Sequence, residues 1–161
     1  MVILGIDPGL ATTGFGAIRI DKSVPAALRY GHIKTSSKEP VANRLFQIHT
    51  DIEELIRSLH PDVIAVENVF SLVRYPKAGI LLGGVLGIIY LSVFQNNLSM
   101  TEITPKEVKS SLAGYGGADK YQIRSAVKNL LKIRDLKSLH ASDALAIALT
   151  AFYRQTARRR R

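Results

Sequence analysis

Three short stretches of this 161-residue chain put side chains where chemistry could use them. In VILGID an apolar run ends on Asp7 and enters a Pro8-Gly9 turn, and in DVIAVE a second apolar run ends on Glu67. Runs of this kind read as buried strands. Each carboxylate would then stand at the carboxyl end of a strand, where ligands collect in α/β sheets. The third stretch, LHASDALAIAL, sets His140 and Asp143 three residues apart, on one face of a helix. Asp143 has Ala141, Ala144, Ala146 and Ala148 around it, a face suited to packing on a sheet. A carboxylate in such a place needs a partner, because an unpaired buried charge is costly. Three carboxylates and an imidazole round one point, beside a basic surface, are what a two-magnesium phosphodiester hydrolase needs. Hard cations prefer carboxylate oxygens, and two of them ~3.5–4 Å apart clamp the attacking and leaving oxygens of an in-line displacement. Each residue also has an ordinary reading: Asp7 in an Asx-turn, Glu67 in a salt bridge to a lysine, His140 as a helix-terminus residue.

The charge distribution points the same way. Residues 1–73 hold seven basic and eight acidic side chains, residues 74–161 fifteen and five, for a net charge of +9 over the chain. The chain ends Arg158-Arg159-Arg160-Arg161, with Arg154 one turn earlier. Such asymmetry favours a polyanionic partner, and nucleic acid fits better than a membrane surface because no basic amphipathic helix carries Trp or Phe anchors. There is no cysteine, which excludes a disulfide scaffold or thiolate zinc site and fits a reducing compartment. No signal peptide is read at the N-terminus.

The elements that must position these residues follow from periodicity. After Asp7, Gly14 to Ile20 and Ala27 to Thr35 read as strands joined by a turn at Asp21-Lys22-Ser23, a meander. From Val41 the apolar residues Val41, Leu45, Ile48, Ile52, Leu55 and Leu59 step by 4, 3, 4, 3, 4, an amphipathic helix closed by His60-Pro61. The strand ending at Glu67 follows, then the uncharged segment Ala78 to Phe94 with Gly79, Gly83 and Gly87 at i, i+4, i+8. That segment is at the short limit for a membrane span. It reads instead as a helix buried nearly all round, its glycine stripe admitting close approach by a sheet or a partner subunit. A strand at Met100 to Ile103, a short helix opened by Pro105, a glycine-rich loop at Ala113 to Gly117, a helix near Lys120 to Lys132 and a last helix from Ser138 to Arg154 complete the order β-β-β-α-β-α-β-α-α-α. This implies an α/β fold, a mixed five-stranded sheet flanked by helices. We expect one domain over residues 1–157 and a basic tail over 158–161.

In combination, GIDPGLATTGFGAI, DVIAVENVF, VKSSLAGYGGADK and HASDALAIAL resemble the RuvC family of Holliday junction resolvases, of the ribonuclease H-like superfamily, over essentially the whole chain. The resemblance implies that Asp7, Glu67, His140 and Asp143 are the catalytic and metal-binding residues, with two Mg²⁺ ions per active site and Mn²⁺ able to substitute. At the third position many members have Asp where this chain has His140, so three formal negative charges remain instead of four. Lys109 and Lys120 match basic positions near the scissile phosphate. Phe70 matches an aromatic placed at the junction centre, and with Arg74, Tyr75 and Lys77 it forms a stretch suited to stacking on unpaired bases. The implied protein is a structure-selective endonuclease that makes paired symmetric cuts in four-way junction DNA. It would act in the cytoplasm, as a C₂ homodimer beside the branch-migration motor of RuvA and RuvB. Two other readings stay open. One is an ATPase of the sugar-kinase and chaperone type, which needs a second lobe that 161 residues do not supply. The other is a non-catalytic DNA-binding module on the same fold.

Overall fold

The computed structural model describes residues 1–68 and 76–159. The apolar runs become the strands β1 (Val2–Asp7), β2 (Thr12–Asp21) and β3 (Val24–Lys34). Helix α1 (Val41–Leu59) leads into β4 (Val63–Glu67), and α2 (Pro76–Gln95) leads into β5 (Ser99–Ile103). The helices α3 (Pro105–Ala113), α4 (Lys120–Leu131) and α5 (Leu139–Arg159) follow. The sheet order is β3-β2-β1-β4-β5. The meander β1-β2-β3 is antiparallel, whereas β4 runs parallel to both β1 and β5. Asp7 and Glu67 therefore end adjacent parallel strands, one step beyond the paired residues Ile6 and Val66.

Alternation along the strands sorts the core into two layers. Ile3, Ile18, Ala65 and Ile103 pack with α3, α4 and α5 through Val108, Val127 and Leu145. Leu4, Ile6, Ile64 and Val66 pack with α1 and α2 through Ile48, Ile52, Val85 and Ile89. By the same period of two, Asp7 shares a face with Ile3, and Glu67 shares one with Val63 and Ala65. Both carboxylates thus face the α5 side.

Local chemistry sets the helix ends. The α1 helix stops where His60 turns left-handed (φ 46°) and its N–H bonds the Ile56 carbonyl at 2.9 Å. Thr104 and Glu107 form a capping box at α3, and Asp119 and Gln122 form another at α4. The β2–β3 turn is tighter than the sequence suggests. Asp21 pairs with Val24, leaving the two-residue loop Lys22-Ser23 with φ of 46° and 67°. That loop needs the left-handed backbone usually supplied by Gly or Asn. With neither present, the sequence reading left both strands short.

The expectation of a helix buried nearly all round at residues 78–94 is corrected. On α2, Ile80 and Phe94 are 75% and 80% exposed, and a Cβ built on Gly83 or Gly87 would meet nothing. One side packs on α1, where Leu45 lies against Gly84; the other is open. The last helix also runs five residues beyond the expected Arg154, to Arg159.

Candidate active site

His140 and Asp143 reach the strand ends because α5 lies almost flush on the sheet. Three glycines make room for it. A Cβ on Gly5 would stand 2.1 Å from the Ala144 carbonyl oxygen, and one on Gly14 2.2 Å from that of His140. Gly16 is similarly filled by Leu145. Gly14 pairs directly with Asp7 across β1 and β2, so the close approach at Gly14 sets the start of α5 beside Asp7. These glycines escaped the sequence reading, which looked for close approach on α2. The signal was Gly14-Phe15-Gly16 with Gly5: an alternation that puts small residues on one sheet face.

The Asp7 side chain is 16% exposed and accepts a 2.9 Å hydrogen bond from His140 Nδ1. Burial raises its pKa above the usual carboxylate range, against the lowering effect of His140. Burial, then the charges of Asp7 and Asp143, push Glu67 up to about 7. Burial in the cleft and the charge of Asp7 push Asp143 up to about 6, although the residue is open to solvent and His140 and Lys120 pull the other way. The turn after Asp7 is tied down on its far side: the Thr13 hydroxyl donates to the Gly9 carbonyl at 2.7 Å, and Arg44 Nε donates to the Thr35 hydroxyl at 2.8 Å. Thr35 in turn donates to the Leu10 carbonyl at 2.5 Å.

A cleft of about 250 Å³ opens beside Glu67 and Asp143. Lys109 from α3 and Lys120 from the start of α4 line it, over an apolar floor that includes Val108, Ile123 and Ile147. A second hollow lies on the other side of His140, between the Pro8–Thr12 turn and Ala78, Leu81 and Leu82 of α2. Six of the ten expected site residues are thus arranged round one mouth of the sheet: Asp7, Glu67, His140, Asp143, Lys109 and Lys120. Lys77 is exposed at the start of α2. Phe70, Arg74 and Tyr75 lie outside the described residues. Neither ordinary reading of Asp7 and Glu67 is met: Asp7 bonds His140, and among the described residues Glu67 has no ion pair.

The donor set fits hard divalent cations. Burial first, and the neighbouring carboxylates second, raise Glu67 to about 7 and Asp143 to about 6, and a cation would let all three carboxylates ionise together. Among the described residues, however, no three acidic or imidazole groups close round a single point as they stand, Asp7 being turned to His140. The arrangement suits ions held by one or two protein groups each, with phosphate and water completing the shell, as is usual for magnesium.

Residues 3–151 match the family model for crossover junction endodeoxyribonuclease RuvC. The chain is 42% identical to the RuvC of Caldicellulosiruptor saccharolyticus, over 92% of this chain and 90% of that one. It is 39% identical to the RuvC of Alkaliphilus oremlandii, over 92% and 91%. Among solved structures, Thermus thermophilus RuvC superposes with a TM-score of 0.89 at 32% identity, covering 98% of this chain and 97% of that one. T. thermophilus RuvC in complex with a Holliday junction substrate gives 0.87 at 30% identity, over 97% and 96%. The yeast mitochondrial Holliday junction resolvase Ydc2 shares the fold, with a TM-score of 0.70 at 14% identity. Sequence and fold agree: the chain belongs to the RuvC family of crossover junction endodeoxyribonucleases.

Proposed function

We infer that this protein is a metal-dependent endonuclease that resolves Holliday junctions by paired, symmetric phosphodiester hydrolysis in DNA recombination and repair. One observation carries the reading. Asp7 and Glu67 end neighbouring parallel strands and face His140 and Asp143 on α5, with Lys109 and Lys120 in the adjoining cleft. Asp7, Glu67, His140 and Asp143 would hold two Mg²⁺ ions, with Mn²⁺ able to take their place. Bound there, the ions would supply Lewis-acid charge to the scissile phosphate and make water a better nucleophile at neutral pH.

The chain's own residues do the rest. Lys109 and Lys120 offset the charge that accumulates on the phosphate oxygens. The hydrogen bond from His140 fixes the orientation of Asp7. The apolar cleft floor limits the water around the reacting phosphate. Phe70, Arg74, Tyr75 and Lys77 would engage unpaired bases and backbone at the crossover. The non-catalytic alternative predicts a lost carboxylate, and all three are present.

Two cuts need two sites, and a C₂ dimer supplies them. The open side of α2, with Ile80, Leu91 and Phe94 exposed and Gly83 and Gly87 uncovered, supports this face as the dimer contact. The same helix is long and apolar enough to cross a membrane, but its other side packs on α1, and a covered dimer face explains its composition. The enzyme would work in the cytoplasm beside RuvA and RuvB. Incubating the protein with a synthetic four-way junction and with linear duplex of the same sequence, with and without Mg²⁺, tests the reading. Metal-dependent, symmetric cuts confined to the junction are expected. Equal cutting of linear duplex, or nucleotide hydrolysis in place of cutting, would refute it.

A further inference from the structure

The carboxyl end of β4 is held from behind by a group that none of the site residues includes. Successive residues of a strand face opposite sides, so Glu67 faces α5 and Asn68 turns to the α1–α2 side of the sheet. Glu102 of β5 stands on that side too, next in alternation to Met100, which packs in the α1–α2 core, whereas Ile103 packs in the α5 core. The Glu102 carboxylate accepts from Asn68 Nδ2 and from the Tyr90 hydroxyl of α2, both at 2.7 Å. The Asn68 N–H also bonds the Ile103 carbonyl at 2.8 Å, which extends the β4–β5 ladder past Glu67. From the opposite face, Arg154 of α5 donates to the Glu102 carbonyl at 2.8 Å and reaches Glu107 at 3.4 Å. The half-buried Glu102 is therefore held from both layers, and its carboxylate, which accepts two charge-assisted hydrogen bonds, is the shared anchor.

We propose that Glu102 is a positioning residue for Glu67: it clamps Asn68 from the back of the sheet and ties the strand end to α2 through Tyr90. The proposal rests on Glu67 being a catalytic carboxylate. A carboxylate at a strand end is steadied by restraint on the residue that follows it, and the Glu102 clamp adds a side-chain restraint on Asn68 to its backbone bond with Ile103. Because Tyr90 lies on the helix whose open side is the dimer contact, the clamp also connects that face to the site.

The test compares the parent with Asn68→Ala, Glu102→Ala, their double variant and the milder Tyr90→Phe. Three quantities are read: single-turnover cutting of a four-way junction at saturating Mg²⁺, junction Kd without metal, and the thermal midpoint. Asn68→Ala and Glu102→Ala should each cut roughly tenfold or more slower, as expected for a misplaced catalytic group. Junction Kd should stay within about twofold of the parent, and the double variant should be no slower than the worse single, the mark of residues acting as one unit. Tyr90→Phe should show the same split at smaller size; it carries the test with Asn68→Ala if Glu102→Ala does not fold. Parental cutting by Asn68→Ala, multiplying losses in the double variant, or binding that falls in step with cutting would overturn the clamp. A parent that leaves the junction intact would overturn the nuclease reading beneath it.

Discussion

Helices α5 and α2 are similar in length and both rich in small and apolar residues, yet they meet the rest of the protein in opposite ways. On α5, Ala141, Ala144 and Ala148 are fully buried, and the glycines that admit them are on the sheet. On α2 the glycines are on the helix itself, and Gly83 and Gly87 face open space. Small residues permit close approach, but the approach belongs to whichever surface is brought there. For α5 that surface is the sheet, and the contact brings His140 within 2.9 Å of Asp7. For α2 we propose that it is a second copy of the chain.

The largest effect should come from filling the α5 contact. Gly14→Val would drive a side chain into the His140 backbone, and no flexible group is there to yield. It should lower stability by about 3 kcal/mol or more and abolish cutting, as read by chemical denaturation and junction cleavage. Gly87→Ala, with nothing near its Cβ, should leave the protomer's stability unchanged or raise it by about 0.5–1 kcal/mol through helix propensity. Equal losses at the two positions would break the comparison.

Breaking α2 should act on assembly and spare the fold. Phe94→Asp puts a charge on a side chain already 80% exposed in the protomer, so folding should be little affected. Sedimentation should show a shift from dimer to monomer, and the paired cuts should lose their coupling. A variant that remains dimeric would place the contact elsewhere.

A smaller effect sharpens the contrast further, because only the α5 contact gathers like charges. Glu67 and Asp143 bind protons more tightly in the folded protein than their ordinary values allow. Stability from that source is present at acid pH and is lost as pH rises from about 4.5 through about 7 for Glu67. The thermal midpoint of metal-free protein should thus fall between about pH 5 and about pH 8. Adding Mg²⁺ at the higher pH should restore it, and Glu67→Gln should flatten the dependence. A midpoint that climbs steadily over that range would mean the carboxylates are not crowded.

Much of this arrangement was legible in the chain. Apolar runs ending in Asp7 and Glu67 gave the strands and the carboxylates at their ends, and the 4-3-4-3-4 spacing gave α1 with both its boundaries. What stayed hidden depended on contacts distant in sequence. Nothing in Ala78 to Phe94 alone distinguishes a helix buried all round from one that leaves a side open on the protomer. The role of Glu102 was invisible because its partners, Asn68 and Tyr90, lie 34 and 12 residues away. The Lys22-Ser23 turn was missed because its residue types do not advertise a left-handed backbone.

We propose that the carboxylates between β1, β4 and α5 cut DNA while the basic half of the chain holds it. Asp143→Asn, assayed beside the parent for both junction binding and junction cutting in Mg²⁺, tests this most directly. The variant keeps the shape of the side chain and removes one charge from the cluster. It should bind the four-way junction with the parental Kd and make no cuts. Cutting at the parental rate, or binding lost together with cutting, would mean that Asp143 is not a residue of the cutting site.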